Sequence, residues 1–402
     1  MRRIIIFSVA LMMIGSVMMA QDTLTEITVK RIYISKHPQD PDYPQFVIYS
    51  KNNDFQLGFG GYAKLVAAFD FNGIVDNYDF ITYDIPVENI DPGEKRLYFD
   101  AHQSRLYAEV LGHMKGTPLR IYIETDFYSD DYYPRLRHAY GQIGSFLVGQ
   151  TWTTLMDLDA MPNTIDFEGP NSAVSLRAPM VRYTYGASRP FSMQLALEMP
   201  EVSMSYKRPF AESYQYIPDL IINFKLTTKR GHLQLGGVFR AMAYADTVAQ
   251  WQNLLPGYGG ALSGAFKVGK RNQFMFQAVF GNGIAKYIQD IAGVGLDAIT
   301  EQNAYHKHVQ NTVLAGGFYL AYQQYWAKKL NSSFMYGLTW VEDNPYTPDH
   351  AYRLGQYACV NLFWEIFPSF SVAMEYLWGQ RMDYFKNKGN ANRINAMAQF
   401  SF

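Results

Sequence analysis

The sequence lacks the features on which helical membrane proteins and many secreted domains depend. Beyond residue 20, no apolar run reaches the roughly 20 residues of a membrane-spanning helix. The chain has 402 residues and a single cysteine, Cys359, so an internal disulfide is excluded. Charged residues make up 18% of the chain, against roughly 25% in soluble domains. Neither a helical membrane protein nor a disulfide-stapled domain fits this composition.

The chain also lacks an excess of basic charge. It has 35 lysines and arginines against 36 aspartates and glutamates, a net charge of −1 at pH 7. Proteins that bind nucleic acid usually carry a clear basic excess on one face. We therefore expect no nucleic acid partner.

The first twenty residues have the pattern of an export signal. Arg2 and Arg3 form a basic head, and an apolar stretch from residue 4 to 17 is too short to span a bilayer. We expect residues 1–20 to be a signal peptide, with a single-pass anchor as the alternative. Residues 21–55 are polar and carry three prolines, which predicts a periplasmic segment ahead of one domain at residues 56–402.

Sixteen segments of about ten residues fill this domain, each alternating apolar and polar side chains. The last segment is the clearest, because one face carries Ile394, Ala396, Ala398, Phe400 and Phe402 and the other is mostly polar. Short turns alternate with long connections at about 71–97, 153–178, 199–218, 243–258 and 283–311. Aromatic residues, at 16%, suit the girdles of a membrane barrel. The pattern predicts an all-β fold, an antiparallel transmembrane β-barrel of about 16 strands in the cell outer membrane. A soluble β-sandwich is the alternative.

Several motifs between residues 119 and 186 add a family resemblance. They are IETDFY at 123–128, LRHAYG at 136–141, GQTWTTLMD at 149–157, PNTIDFEGP at 162–170 and RAPMVRYT at 177–184. Together they resemble the DcaP-like outer-membrane porins, and residues 60–64 and 104–106 resemble that family's first two strands. The resemblance implies a trimeric channel associated with dicarboxylates and other small anions.

Charged residues of the strands are expected to line the lumen. A charge on the lipid face at mid-membrane costs roughly 2–4 kcal/mol, so the strand arginines should face inward. Arg177 lies where a long connection rejoins the wall. The candidate basic residues of the constriction are Arg120, Arg135, Arg137, Arg177 and Arg182. Glu124 and Asp126 share the inward face of the third segment with Arg120.

The connection at 153–178 is predicted to fold inward and narrow the channel. Its carboxylates are Asp157, Asp159, Asp166 and Glu168. They form either one side of an eyelet whose transverse field orients polar solutes, or simply neutralise and position the arginines. Asp157 and Asp159 could offer oxygen ligands to calcium, but we expect no metal and no cofactor.

These residues predict a passive, water-filled porin for small, anionic, dicarboxylate-like solutes. One alternative is an outer-membrane barrel enzyme, although no motif pairs a serine with a histidine. Another is a barrel whose long loops bind a ligand or adhere to a surface. Neither alternative has a motif of its own in the sequence.

Strand parity also predicts a homotrimer. If Arg135 and Arg137 face inward, His138 of the same segment faces lipid, and Gln150 of the next segment does too. Polar groups without partners in hydrocarbon cost several kcal/mol each. A neighbouring subunit covering the first five strands would remove that cost.

Overall fold

The computed structural model describes eleven stretches of the chain. They are residues 46–51, 54–74, 78–87, 95–129, 131–187, 189–205, 211–212, 214–246, 251–302, 308–343 and 351–402. The predicted signal peptide and most of the predicted periplasmic segment lie outside the described residues. Among the described residues, no helix is both long enough and apolar enough to cross a membrane.

Sixteen antiparallel strands form a closed barrel. They are β1 Phe55–Asn72, β2 in two pieces at Arg96–Asp100 and Arg105–Met114, β3 Thr117–Asp126, β4 Arg135–Ile143, β5 Phe146–Trp152, β6 Arg177–Tyr185, β7 Phe191–Glu198, β8 Asp219–Thr228, β9 Gly231–Asp246, β10 Trp251–Val268, β11 Asn272–Asn282, β12 Leu314–Ala327, β13 Leu330–Val341, β14 Tyr352–Phe367, β15 Phe370–Asp383 and β16 Lys388–Ser401. β16 pairs with β1 and closes the wall, with Met397 opposite Val66. The predicted fold class and strand number are confirmed.

Short turns join the strands at one end of the barrel and longer connections at the other. The turn between β2 and β3 is Lys115-Gly116, and both residues have positive φ angles, of 51° and 81°. Two consecutive positive φ angles match the twist of a tight hairpin. The predicted long connection at 243–258 is wrong, because β9 continues to Asp246 and β10 begins at Trp251.

The two faces of the wall differ as a membrane barrel requires. Outward side chains such as Leu65, Trp364 and Phe400 are strongly exposed, Phe400 to 59%. Inward side chains are polar and buried, and Arg393 of β16 pairs there with Asp70 of β1. The alternation follows from the two-residue period of a strand between lipid and a wet lumen.

The described parts of three long connections fold into the lumen, whereas the sequence predicted one such connection. Loop 1 (residues 73–95), loop 3 (153–176) and loop 6 (283–313) each contain 3-10 turns: Thr82–Asp84 in loop 1, Leu158–Ala160 in loop 3, and Ala285–Tyr287 and Gln289–Ile291 in loop 6. Apolar residues of loops 3 and 6 pack on inward residues of β8–β12 and form one core. Its members include Leu155, Met161, Val174, Ile284, Ile288 and Ile291 from the loops and Ile221, Val238, Val279 and Tyr319 from the wall.

Loop 1 packs separately against the last strands. Ile74, Phe80 and Ile85 form a cluster with Tyr357 of β14 and Leu377 of β15. Because loops 3 and 6 fill the lumen along β8–β12, the remaining space lies off the barrel axis.

A β-bulge in β4 overturns the predicted orientation of His138. Glu124 of β3 lies opposite His138, while the next residue, Thr125, lies opposite Leu136, so Arg137 is an extra residue. The extra residue shifts the parity, and Arg137 and His138 both face inward. His138 is only 6% exposed.

The side-chain amide of Gln150 has hydrogen-bond partners within the chain. Its Nε2 donates to the backbone oxygens of Leu136 and Arg137, at 3.1 and 3.2 Å. His138 and Gln150 therefore give no support to a covering subunit.

Smaller strands extend the wall. Phe46–Tyr49, which the sequence analysis assigned to the periplasmic segment, pairs antiparallel with β1 from Gln56 to Phe59. Ala211–Glu212 pairs with the end of β9. Met204–Ser205, Ala298–Gln302 and His308–Thr312 form a separate three-stranded sheet at the long-loop end.

Candidate functional site

A cavity of about 980 Å³ occupies the part of the lumen that the loops leave open. The wall strands β1, β2, β4–β6 and β13–β16 line one side, and loops 1, 3 and 6 contribute to the other. Its basic lining residues are Lys64, Arg105, Arg135, Arg137 and Arg177, and its acidic residues on loops are Asp79, Asp166 and Glu168. Glu365 of β14 also lines the cavity, and it lies 3.4 Å from Lys329. Apart from this paired wall residue, the cavity acids are on the loops and the cations are on the wall.

The acids of β3 hold the arginines of β4. Asp126 accepts two hydrogen bonds from Arg135, at 2.9 and 2.7 Å, in a forked pair. Arg137 donates to Glu124 at 2.6 Å and to Asp126 at 2.9 Å. Glu124 also lies 3.5 Å from Nε of Arg105 on β2. Two carboxylates therefore pair with three guanidinium groups, and the cluster keeps one positive charge in excess.

Arg120 and Arg182 lie apart from this cluster. Arg120 hydrogen-bonds to Glu109 and lines a second cavity, of about 460 Å³, near the short-turn end. The Nη1 of Arg182 is 3.5 Å from the backbone oxygen of Trp152. Four residues separate Arg120 from Glu124 along β3, about 14 Å at the rise of a strand. Arg120 is thus well separated from the arginines that Glu124 and Asp126 bind.

Arg177 differs from the three arginines that pair with Glu124 and Asp126. Its guanidinium lies 4.7 Å from the centre of the Trp152 ring. Within the described part of the chain it forms neither a hydrogen bond nor an ion pair. The charged groups that act on it most strongly are Arg137 and Arg135. A guanidinium stays charged at any working pH, so Arg177 presents an uncompensated positive charge to the cavity.

Lys64 on β1 is a second cation without a carboxylate partner among the residues described. Its ammonium hydrogen-bonds to the side chain of Gln103 and, at 3.1 Å, to the backbone oxygen of Ile165. Both acceptors are neutral. Lys64 therefore adds positive charge to the wall while it also holds loop 3.

Asp157 and Asp159 of loop 3 do not face the arginines. Lys225 of β8 lies 3.3 Å from Asp157 and 2.6 Å from Asp159. Asp157 also accepts from His232 and Ser263, each at 2.7 Å. Asp157, Asp159 and His232 converge as metal ligands would, but the Lys225 ammonium already contacts both carboxylates and supplies the positive charge.

Asp166 acts as a latch between loops. Its carboxylate accepts the backbone N–H of Phe80 in loop 1 at 3.0 Å and that of Gly169 at 3.2 Å. Glu375 on β15 accepts the backbone N–H groups of Ile165 and Asp166, at 2.9 and 2.8 Å. These bonds fix loop 3 to the wall and loop 1 to loop 3.

Asp290 makes the matching latch from loop 6. It accepts the backbone N–H of Thr82 at 2.7 Å and the Tyr352 hydroxyl at 2.6 Å. Burial raises the pKa of Asp290 to about 6. Loop 1 is thus held by one carboxylate from loop 3 and one from loop 6.

The loop carboxyls at the cavity have raised pKa values. Burial, with the nearby Asp79 and Glu375, raises the pKa of Asp166 to about 7. Burial raises the pKa of Asp79 to about 6, partly offset by a hydrogen bond from Tyr128. The pKa of Glu168 lies well above its usual range because of burial and the neighbouring Asp79 and Asp290. Near pH 7 these groups carry less than their full negative charge.

Sequence reasoning missed several residues that shape this site. Lys64 and Arg105 lie in the motifs that resemble the family's first strands, so a signal for them was present. Asp79 and Asp290 lie in connections of no distinctive pattern, and only the inward fold of loops 1 and 6 brings them to the lumen.

A family model for the DcaP outer membrane protein matches residues 48–402. A search of curated proteins finds no match. The solved structures that the chain resembles include outer-membrane channels. The outer membrane channel DcaP of Acinetobacter baumannii has 19% sequence identity and a TM-score of 0.75, with 88% of this chain and 99% of that chain covered.

Other porin structures are similar at lower scores. The anion-selective porin from Comamonas acidovorans has 8% identity and a TM-score of 0.56, covering 87% of this chain and 100% of its own. The trimer form of OmpT from Vibrio cholerae has 13% identity and a TM-score of 0.53, covering 87% and 99%. At these identities the likeness shows a shared fold.

Proposed function

Because the chain belongs to the DcaP outer membrane protein family, we propose that it forms a water-filled diffusion channel for small anions, dicarboxylates among them. Localisation in the outer membrane follows from the family and the barrel fold. The charged residues that line the cavity support the preference for anions. The observation that carries it is the pair of cations, Lys64 and Arg177, that line one cavity without a carboxylate partner among the residues described.

Local charge, and not the net charge of the chain, governs passage through a narrow site. On the wall, Arg105, Arg135 and Arg137 exceed their two carboxylates by one charge, and Lys64 and Arg177 add two more. The facing acids are Asp79, Asp166 and Glu168, and their raised pKa values reduce their negative charge near pH 7. The balance at the cavity is therefore positive.

The chemistry of Arg177 and Lys64 suits carboxylates. The planar fork of a guanidinium donates two parallel hydrogen bonds to one carboxylate. The Lys64 ammonium offers a second positive point on the same cavity wall. A solute with two carboxylates can engage both, which supports dicarboxylates within the class of small anions.

We also propose that the protein is not an enzyme. Ser263, His232 and Asp157 meet in the lumen, but the serine and the histidine both contact Oδ2 of Asp157. In a catalytic triad the histidine lies between the serine and the carboxylate and takes the serine proton. Here the serine donates to the carboxylate directly, and the histidine does not lie between them.

We propose that the channel is a homotrimer. The fold is shared with OmpT, which has been solved in a trimer form. Size measurement of the purified protein in mild detergent tests this, and a monodisperse monomer would contradict it. The signal peptide at 1–20 and the periplasmic segment at 21–55 also remain proposals.

Proteoliposome swelling tests the proposed function with two solutes of one size. Succinate carries two charges, whereas its diamide, succinamide, is neutral. We expect succinate to enter several-fold faster than succinamide, and the difference to shrink at high salt as screening shortens the range of the field. Equal rates, or faster entry of the diamide, would refute the preference for anions.

A further inference from the structure

We infer that the loop side of the cavity holds a second subsite that binds a protonated amine. The inference rests on the proposed function and narrows its solute class. The solutes that bind best would carry an ammonium together with one or two carboxylates, as acidic amino acids do. The carboxylates would lie against Arg177 and Lys64, and the ammonium against Glu168.

Glu168 of loop 3 is the core of this subsite. It lines the cavity, yet it is only 8% exposed. Its Oε1 atom is buried and has no hydrogen-bond partner among the described residues. A buried polar atom left without a hydrogen-bond partner destabilises the folded state. A ligand that donates a hydrogen bond there would recover that energy.

Gln289 of loop 6 provides a second acceptor beside it. The side chains of Glu168 and Gln289 are hydrogen-bonded, and Oε1 of Gln289 is likewise buried and unpartnered in the described structure. Both residues line the cavity. Two neighbouring free acceptors require a ligand group with more than one donor, and an ammonium has three N–H bonds.

The charge around Glu168 favours a cationic donor over a hydroxyl. The charged groups that act on it most strongly are Asp79, Asp290 and Asp166, all of them acidic. No lysine or arginine of the described chain forms an ion pair with it. The pKa of Glu168 lies well above its usual range because of burial and these neighbouring acids, and an ammonium in direct contact would favour the ionised carboxylate.

A bare metal ion fits this subsite less well than an organic ammonium. Metal binding requires several ligand atoms to converge, and within the described residues the converging group is Asp157, Asp159 and His232. Glu168 is not a member of it. An ammonium needs only two or three acceptors and tolerates the neutral Gln289 oxygen.

Current block in planar bilayers tests the subsite with three probes at 0.15 M potassium chloride. L-Aspartate has two carboxylates and an ammonium, N-acetyl-L-aspartate lacks the ammonium, and succinate has carboxylates alone. We expect L-aspartate to reach half-block at a concentration about tenfold lower than N-acetyl-L-aspartate, the effect of one favourable contact. Equal half-blocking concentrations would overturn the inference.

Variants of Glu168 separate the subsite from the rest of the channel. Glu168→Gln should raise the half-blocking concentration of L-aspartate about tenfold relative to that of succinate. Gln289→Glu, which adds a carboxylate at the same place, should lower the half-blocking concentration of L-aspartate relative to that of succinate. The control Asp343→Asn removes an acid from a half-exposed pair with Arg353 and should change neither.

Two results would overturn the subsite alone. They are an equal shift of all three probes in Glu168→Gln, or unchanged L-aspartate block in both Glu168→Gln and Gln289→Glu. In either case succinate would still block the wild type, so the proposed function would stand. A wild-type channel that neither succinate nor L-aspartate blocks would overturn the proposed function and the subsite together.

Discussion

Asp166 in loop 3 accepts the backbone N–H of Phe80 in loop 1 at 3.0 Å. The bond joins segments that are 86 residues apart in sequence, and it lies at the edge of the cavity. Asp166 and Asp290 therefore shape the passage chiefly by holding backbone groups of loop 1. Their role in neutralising the wall arginines is small, because Glu124 and Asp126 already bind those arginines.

Removing the Asp166 latch should loosen loop 1. Asp166→Ala leaves the N–H groups of Phe80 and Gly169 without their acceptor, at a cost of roughly 1–3 kcal/mol for each buried group. We expect a larger and noisier single-channel conductance and faster proteolysis within loop 1. Asp343→Asn is the control. Wild-type conductance and proteolysis in Asp166→Ala would show that the latch is dispensable.

The anion preference should fall as the pH rises. The pKa of Asp79 is about 6 and that of Asp166 about 7, so both are largely neutral at pH 5 and largely ionised at pH 8. Ionisation of Asp79 and Asp166 adds negative charge to the cavity that the wall arginines line. Reversal potentials measured from pH 5 to 8 should shift steadily toward potassium. A stronger anion preference at pH 8 than at pH 5 would contradict the assignment.

The raised pKa values of Asp166 and Asp290 predict how the packing of loop 1 depends on pH. Burial favours the neutral carboxyls, so the folded pKa values lie above the unfolded values of about 4. The stability that these groups contribute is fully present below that value and is lost as the pH rises through 6 to 7. Hydrogen exchange of the Phe80 and Thr82 amides should therefore accelerate between pH 5 and 8 beyond its intrinsic dependence, with most of the change complete near pH 7. Unchanged protection from pH 5 to 8 would be the opposing result.

The arginines of β4 should matter more than their number suggests. Arg135→Ala combined with Arg137→Ala removes two positive charges and also exposes Glu124 and Asp126, which lose their main partners. We expect the double variant to prefer potassium over chloride, as read from its reversal potential. Arg189→Ala, at an exposed turn, is the control. A double variant that keeps the wild-type preference would remove these residues from the selectivity account.

The strands of the wall could be predicted from the sequence because the pattern that marks them lies within each strand. A two-residue period between lipid and lumen marks each strand, and the order of short and long connections gives the up-and-down topology. The rule fails at the bulge in β4, where one extra residue at Arg137 turns His138 inward. Such a bulge depends on pairing with β3, which the pattern of β4 alone does not contain.

The contents of the lumen could not be predicted in the same way. Ile284, Ile288 and Ile291 are buried by packing against β8–β12, and no period distinguishes them from other loop residues. The partners of the loop acids are equally remote, since Asp157 binds Lys225 and His232 on other strands. The acids of loop 3 were identified from the sequence, but their partners depend on tertiary folding.

The reversal potential in a potassium chloride gradient tests the central claim most directly, because it reports the sign of the charge that governs passage. The comparison is between the wild type and the double variant Lys64→Gln plus Arg177→Ala, which removes the two cations that lack a carboxylate partner in the described structure. We predict that the wild type prefers chloride and that the double variant loses most of that preference while still conducting. A wild-type channel that prefers potassium, or a double variant that selects chloride as strongly as the wild type, would contradict the account.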